Sequence, residues 1–333
     1  MSESGGSAAP SVTSRLIGNA WRMKRSSIPA PYSNFVASLV LVKGDRIWVG
    51  YRCDMQVTPL TGKFGADVSD IDISQPLSAH ELSELREAFA EYSVLAIREQ
   101  DLTIDSFEAF ALQLGNFGET PFITPVDGHP NVLRLLREAD EAGPLFGSGW
   151  HSDWSFQGQP PSATLLYGVD IPPAGGDTAF TQQEQAYDAL SDGMKELLEP
   201  LHGVHSARRS YGPSGTFGQR DDRRSMEIIG DESALETRSH PLIRTHPDTG
   251  RRSLFINEVY TIGIEELHHA EASAILNFLF EHCRRIDFTC RVRWQQGTLT
   301  MWDNRCVQHY AIDDYFGHRR EMMRVTLAGE TPQ

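Results

Sequence analysis

The feature that most constrains this chain is an alternation of period two near its C-terminal end. In the run from Arg320 through "EMMRVTLAG" (321–329), Met323, Val325 and Leu327 fall on one side of an extended backbone. Arg320, Met322, Arg324 and Thr326 fall on the other. Phe288, Cys290, Val292 and Trp294 alternate with polar residues in "DFTCRVRW" (287–294) in the same way, and "GTLTMWDN" (297–304) reads as a third strand. Half-buried strands need a second layer to cover their apolar faces. Helical patterns flank them. "SAHE" (78–81) has capping-box spacing and opens a helix to about Tyr92, and "DSFEAFALQLG" (105–115) gives another. Further helical patterns cover roughly 183–200 and 266–285, while "SVLAIR" (93–98), "SATLLYGVDI" (162–171) and the end of "PPAGGDTAF" (172–180) read as strands. The pattern predicts one α+β domain built round a β-sandwich or barrel, with helices at the periphery.

Composition narrows the class. The chain of 333 residues carries a net charge of −15, which argues against a nucleic-acid binder with its usual basic face. No apolar run is long enough for a membrane span, so no membrane partner is expected. Four cysteines without CxxC spacing read as reduced thiols of a reducing compartment, hence a cytoplasmic protein. Residues 1–54 differ from the rest: a Ser/Gly/Ala-rich opening, a basic "RMKR" (22–25), then strand-like "SLVLV" and "RIWVGY". This extension is expected to be partly disordered and dispensable for catalysis, with Met55 as a possible biological start and the functional domain spanning 55–333. Residues 205–242, charged and weakly periodic, have the length of a functional lid.

The chemistry-bearing motif is "GWHSDWSF" (149–156). With 12 histidines, about one His-x-Asp is expected by chance, and a second, "HPD" (246–248), has the composition of a turn. In an extended segment, however, His151 and Asp153 point to the same side and can reach one point. Completed by one more histidine they form the facial triad of non-haem Fe(II) oxygenases. His309 and His205 compete for that third place. Arg320 and Arg324 share a strand face, either as solvent-facing cations or as anchors for anions. Adjacent His268 and His269 read as solvated, and Cys306 as a packed thiol.

The motifs "VTPLTGKFGADVSDIDI" (57–73), "GWHSDWSF", "PPAGGDTAF", "HPLIRTHPDTGRRSLFINEVYT" (240–261) and "WDNRCVQHYAIDDYFGHRREMMRVTLAGE" (302–330) occur in this order. Together they resemble the taurine dioxygenase/TfdA family of Fe(II)- and 2-oxoglutarate-dependent dioxygenases over more than four-fifths of the chain. The resemblance implies a double-stranded β-helix (jelly-roll) core with flanking helices, and iron ligands His151, Asp153 and His309. It gives 2-oxoglutarate to Thr178 and Arg320, a substrate anion to Arg324, and pocket walls to Trp154, Phe156, Tyr211 and Tyr260. The implied cofactors are Fe(II), 2-oxoglutarate as cosubstrate and O2. The implied reaction hydroxylates, and thereby cleaves, a small organic anion such as an aryloxyalkanoate, an alkyl sulfate ester or a sulfonate, with release of succinate and CO2. A homo-oligomer is compatible with the resemblance. Taurine itself is not expected, because in "FGETPFITPV" (117–126) Thr124 stands about where taurine-cleaving members carry a histidine. Two rival readings are a zinc-dependent hydrolase on the same ligands and a catalytically idle ligand-binding relative.

Overall fold

The computed structural model describes residues 36–40, 48–52 and 55–333. The chain divides into two units, Met1–Asp54 and Met55–Gln333. In the first, strands Val36–Val40 and Trp48–Arg52 pair antiparallel, as "SLVLV" and "RIWVGY" suggest. The Ser/Gly-rich opening and "RMKR" lie outside the described residues.

The second unit is built on a seven-stranded sheet. At its centre, Leu299–Asp303 runs antiparallel between Val94–Ile97 and Ala163–Asp170, and Arg320–Leu327 pairs with Ala163–Asp170 and Leu133–Arg137. A three-stranded sheet pairs Thr178–Gln182 with Thr289–Val292 on one side and Val307–Ala311 on the other. The two sheets face each other. Between them Leu166, Trp302 and Met322 of the large sheet pack with Phe180, Val292 and Val307 of the small one. Met323, Val325 and Leu327 point the other way, into a cluster with Leu85, Phe107 and Phe110 of the two N-terminal helices. The final strand is therefore buried on both faces, and the unit is a double-stranded β-helix with flanking helices.

Local sequence explains most boundaries. Helix Ala79–Tyr92 begins at Ser78, whose hydroxyl and Glu81 form the reciprocal capping box, and it ends at Ser93 in the left-handed region. Helix Ile104–Leu114 is capped by Thr103. The pattern over 183–200 resolves into two helices, Gln183–Asp188 and Asp192–Leu198, because Ser191 caps the second and interrupts the first. Residues 205–242 are more ordered than their composition suggests. They open on the end of strand His202–His205 and close on strand Arg238–Pro241, which pair with each other. Phe217, Met226 and Ile228 between them are buried in a cluster with Trp154, Tyr211 and Tyr260. Among the described residues, no helix is long and apolar enough to cross a membrane.

The turn that delivers the strand Val307–Ala311 is locked by charge. Asp303 accepts from Arg305 Nε at 2.9 Å and Nη2 at 2.7 Å, and from His246 Nε2 at 3.0 Å. His246 Nδ1 accepts from the backbone N–H groups of Asp248 and Thr249, so "HPD" is a turn, as its composition suggests, and also the anchor of a buried ion cluster. Burial pushes the Asp303 carboxyl upward, but Arg305 and His246 outweigh it and hold it below its ordinary value. A carboxyl lowered in this way adds stability above its ordinary value of 3.8, and that stability is withdrawn as the pH falls towards the native value. Replacing Asp303 with Ala should cost about 3 kcal/mol, by removing the buried partner of Arg305 and leaving it only the exposed Asp248, 2.8 Å from Nη1. Urea unfolding at pH 7 should show this loss, and repetition at pH 4 and below should show a shallower acid dependence in the variant.

Candidate active site

Two backbone hydrogen bonds bring the site together. His151 N–H donates to His309 C=O at 3.1 Å, and His309 N–H donates to His151 C=O at 2.8 Å. This isolated antiparallel bridge ties the segment before Asp153 to the middle of the strand Val307–Ala311. The two imidazole centroids lie 4.1 Å apart. Asp153, two residues on, places Oδ1 3.6 Å from His151 Nε2 and 3.8 Å from His309 Nε2. His151, Asp153 and His309 are all buried, and their ligand atoms lie within 4.8 Å of one another. His205 is not part of this group.

Each donor atom is oriented. His151 Nδ1 lies 2.8 Å from Gly149 C=O, and since a carbonyl can only accept, Nδ1 carries the proton and Nε2 is left with its lone pair. His309 lies against the Trp302 ring at 4.6 Å, and its Nδ1 has no hydrogen-bond partner. Asp153 Oδ2 accepts from Thr164 Oγ1 at 2.6 Å, so Oδ1 is the oxygen that faces the histidines. Arg324 Nη2 lies 2.9 Å from this Oδ1, an ion pair without hydrogen-bond angles. Burial raises the Asp153 carboxyl, yet Arg324 and the two histidines together hold it well below the ordinary carboxylate range. Burial, then His151, drives His309 well below its ordinary value. Two neutral imidazole nitrogens and one carboxylate oxygen on one side of a point form a donor set that fits Fe(II). Zn(II) accepts the same set.

The arginines of the final strand are both buried, at 8% and 4% exposure for Arg320 and Arg324, which removes the solvent-facing reading. Arg320 lies 5.8 Å from the Trp294 ring and 5.7 Å from that of Tyr315, and its Nη2 donates to Gly176 C=O at 3.2 Å. Its Nε is buried without a partner. Thr178 Oγ1 accepts from Trp294 Nε1 at 2.9 Å, so one indole links Thr178 at its N–H to Arg320 over its ring. The glycines of "GGDT" make this possible. Gly175 and Gly176 have φ of +80° and +69°, and a Cβ on Gly176 would lie 3.3 Å from Arg320 Nε. Burial lowers Arg320, opposed by Tyr315 and Asp177.

Arg324 stacks 4.4 Å over Trp154, a buried residue with φ of 42°, strain of the kind that persists where surrounding structure enforces it. A small cavity is lined by His151, Asp153 and Arg324 and walled by Tyr211, Phe217 and Tyr260. Burial pushes the Tyr211 phenol up to about 12, opposed by its hydrogen bond with Tyr260. Burial, then Tyr211, raises Tyr260 well above its ordinary value. Both phenols are therefore protonated at neutral pH, with the Tyr260 hydroxyl donating to Tyr211 and the Tyr211 proton left to donate elsewhere. Phe156 is not on this wall; it packs edge-on behind Tyr260 with ring centroids 5.0 Å apart. Thr124 is exposed, and Phe122 two residues earlier is what stacks on Tyr211, at 4.8 Å. A second small cavity adjoins Arg320, Tyr315 and Arg137.

Sequence reasoning missed Trp294 and Tyr315 around Arg320, and Thr164 and Asn304 behind Asp153. Trp294 lies two residues beyond Val292, which pairs with Thr178 at the end of the strand Thr289–Val292. His205 is fully buried, hydrogen-bonded to Ser155 Oγ at 2.9 Å, and burial lowers it to about 3. It backs Tyr260 through Asn257, which donates to Ser155 Oγ and accepts from Tyr260 N–H. His268 and His269 are exposed, and Cys306 is packed. His246, Asp303 and Cys306 also cluster, but Arg305 and His246 occupy both oxygens of Asp303.

The chain is 32% identical over 279 residues to an alkylsulfatase of Acinetobacter baylyi, covering 83% of this chain and 86% of the relative. It is 35% identical over 285 residues to the alpha-ketoglutarate-dependent 2,4-dichlorophenoxyacetate dioxygenase of Cupriavidus pinatubonensis, covering 80% of this chain and 96% of the relative. The crystal structure of a taurine dioxygenase from Burkholderia xenovorans superposes with a TM-score of 0.70 at 33% identity, over 84% of this chain and 93% of the other. Residues 56–326 match the profile of the taurine catabolism dioxygenase TauD, TfdA family, and the chain belongs to that family.

Proposed function

We propose that this protein is an Fe(II)- and 2-oxoglutarate-dependent dioxygenase that hydroxylates a small organic anion beside an ester or ether oxygen. One observation carries the reading: a two-histidine, one-carboxylate set and two buried arginines share the inner face of one β-sandwich. A ferrous ion with 2-oxoglutarate supplies, when bound, oxidative decarboxylation of the keto acid coupled to C–H hydroxylation by O2. His151, Asp153 and His309 would hold the metal. Arg320 would meet the distal carboxylate of the keto acid, with the Thr178 hydroxyl beside it. A zinc hydrolase leaves these two residues without a role.

Arg324 and the Tyr211 phenol, itself oriented by the hydroxyl of Tyr260, offer donors to the anionic head of the substrate, while Trp154 and Phe217 exclude water. This arrangement suits an alkyl sulfate ester or an aryloxyalkanoate, anions of the kind named for the Acinetobacter and Cupriavidus relatives. Hydroxylation of the carbon next to the oxygen gives a hemiacetal-type product, which splits into a carbonyl compound and the released acid or phenol. We assign the reaction to residues 55–333 and the closing of the cavity to 205–242, whose Tyr211 and Phe217 form part of its wall. The unpaired buried thiols Cys283, Cys290 and Cys306 fit a cytoplasmic setting.

The direct test is anaerobic loading with Fe(II) and 2-oxoglutarate, then a screen of organic anions in air for succinate release. Substrate-dependent succinate formation is expected and should vanish in His151→Ala with the fold retained. Turnover without O2 and 2-oxoglutarate would support the hydrolase instead. The two arginines should separate kinetically. Truncating a buried charge partner costs about 2–5 kcal/mol, so Arg320→Ala should raise the KM for 2-oxoglutarate by roughly 30-fold or more. Arg324→Ala should act on the KM of the organic anion. Trypsin cleavage at the exposed Arg220 and Arg223 should slow when 2-oxoglutarate and substrate are both present; an unchanged rate would remove the lid assignment.

A further inference from the structure

The Asp153 carboxylate is steered by a buried chain of donors that does not line the cavity. Asn304 Oδ1 accepts from two N–H groups, those of Asp153 at 3.2 Å and of the Trp302 indole at 3.1 Å. This fixes the amide orientation and turns Nδ2 towards Thr164, whose Oγ1 accepts from it at 2.9 Å. A hydroxyl has one proton, and an amide N–H can only donate. The Thr164 proton is therefore left for Asp153 Oδ2, 2.6 Å away. Direction is thus set from Asn304 through Thr164 to Asp153, and all three residues are at most 2% exposed. Strand register holds the chain in place. Trp302 lies opposite Thr164, and Asn304, just beyond the paired stretch, donates its backbone N–H to Ser162 C=O at 2.9 Å.

We propose that Asn304 and Thr164 are positioning residues that hold Asp153 to a single ligand oxygen. With Oδ2 engaged by Thr164, Oδ1 is the oxygen facing His151 and His309 Nε2, with Arg324 Nη2 on its other side at 2.9 Å. A carboxylate limited to one oxygen takes one position on a metal rather than two, and leaves the remaining positions for exogenous ligands. A free Oδ2 could swing round and fill one of them. The proposal rests on the reading of these three side chains as a metal centre. It assigns the orienting role to residues that touch neither metal nor substrate.

The test is Co(II) titration of the unaltered protein, Thr164→Val, Thr164→Ser and Asn304→Asp, followed by calorimetry and by the visible absorption of the bound ion. Circular dichroism checks that each variant is folded. Thr164→Val should bind Co(II) about 10- to 100-fold more weakly, with a changed absorption band as the freed Oδ2 joins the coordination shell. Thr164→Ser, which keeps the hydroxyl, should restore both affinity and spectrum. Should Thr164→Val not fold, Asn304→Asp carries the same test. It keeps shape and Oδ1 but replaces the donor to Thr164 with an acceptor that competes for the same proton, so affinity should fall. Unaltered affinity and spectrum in a folded Thr164→Val, or in Asn304→Asp if that is the folded one, overturn this proposal alone. Absence of Co(II) binding to the unaltered protein overturns the metal centre and this proposal together.

Discussion

The site depends on one pair of backbone hydrogen bonds, those exchanged between His151 and His309. A pair of this kind fixes the separation and relative tilt of two backbones more tightly than any side-chain contact. It joins a segment rich in turns to a regular strand, so the position of His151 is inherited from the small sheet. Asp153 follows two residues on, where the segment enters the turn that holds Trp154 at a φ of 42°. The locked turn at Asp303–Arg305, the tilted contact of Trp302 with His309 and the pairing of Phe180 with His309 hold that strand in register. The triad is thus a consequence of strand pairing, with the imidazoles and carboxylate carried along.

The inner face of the sandwich is polar where an ordinary core would be apolar. It buries His151, Asp153, Thr164, Thr178, His309, Arg320, Arg324 and Thr326. Burying such groups is costly unless partners meet them. Oδ2 of Asp153 and the Thr178 hydroxyl are met within the protein. Nε of Arg320, Nε of Arg324 and the Thr326 hydroxyl are not. The unmatched groups are mostly cationic donors, and they point to anionic partners. Together with the left-handed backbone at Trp154, they mark the region where the fold gives up stability for function.

Much of this was legible in the sequence, and the exceptions have physical causes. Period-two spacing put Arg320 and Arg324 on one face and Met323, Val325 and Leu327 on the other. Parity alone does not say which face is solvent, and here neither is, because helices cover one and the small sheet the other. The choice between His205 and His309 was closed to spacing, since the partner that claims His205, Ser155, is brought to it by the fold. Strands His202–His205 and Arg238–Pro241 are four residues each and partly polar, too short for a periodic signal, so the segment between them read as one long loop. Thr124 lies exposed on an irregular stretch. Phe122, held at a φ of 66°, turns that stretch so that it and not Thr124 reaches Tyr211. Trp294, Thr164 and Asn304 act through partners on other strands, and nothing local announces them.

The central claim is that His151, Asp153 and His309 hold one divalent ion. It is tested most directly by a crystal structure of the protein grown anaerobically with Mn(II), using anomalous scattering to locate the metal. The account predicts one strong peak about 2.0–2.3 Å from Nε2 of both histidines and from Oδ1 of Asp153. A well-ordered crystal with no peak between these atoms, or with its strongest peak elsewhere, would contradict it.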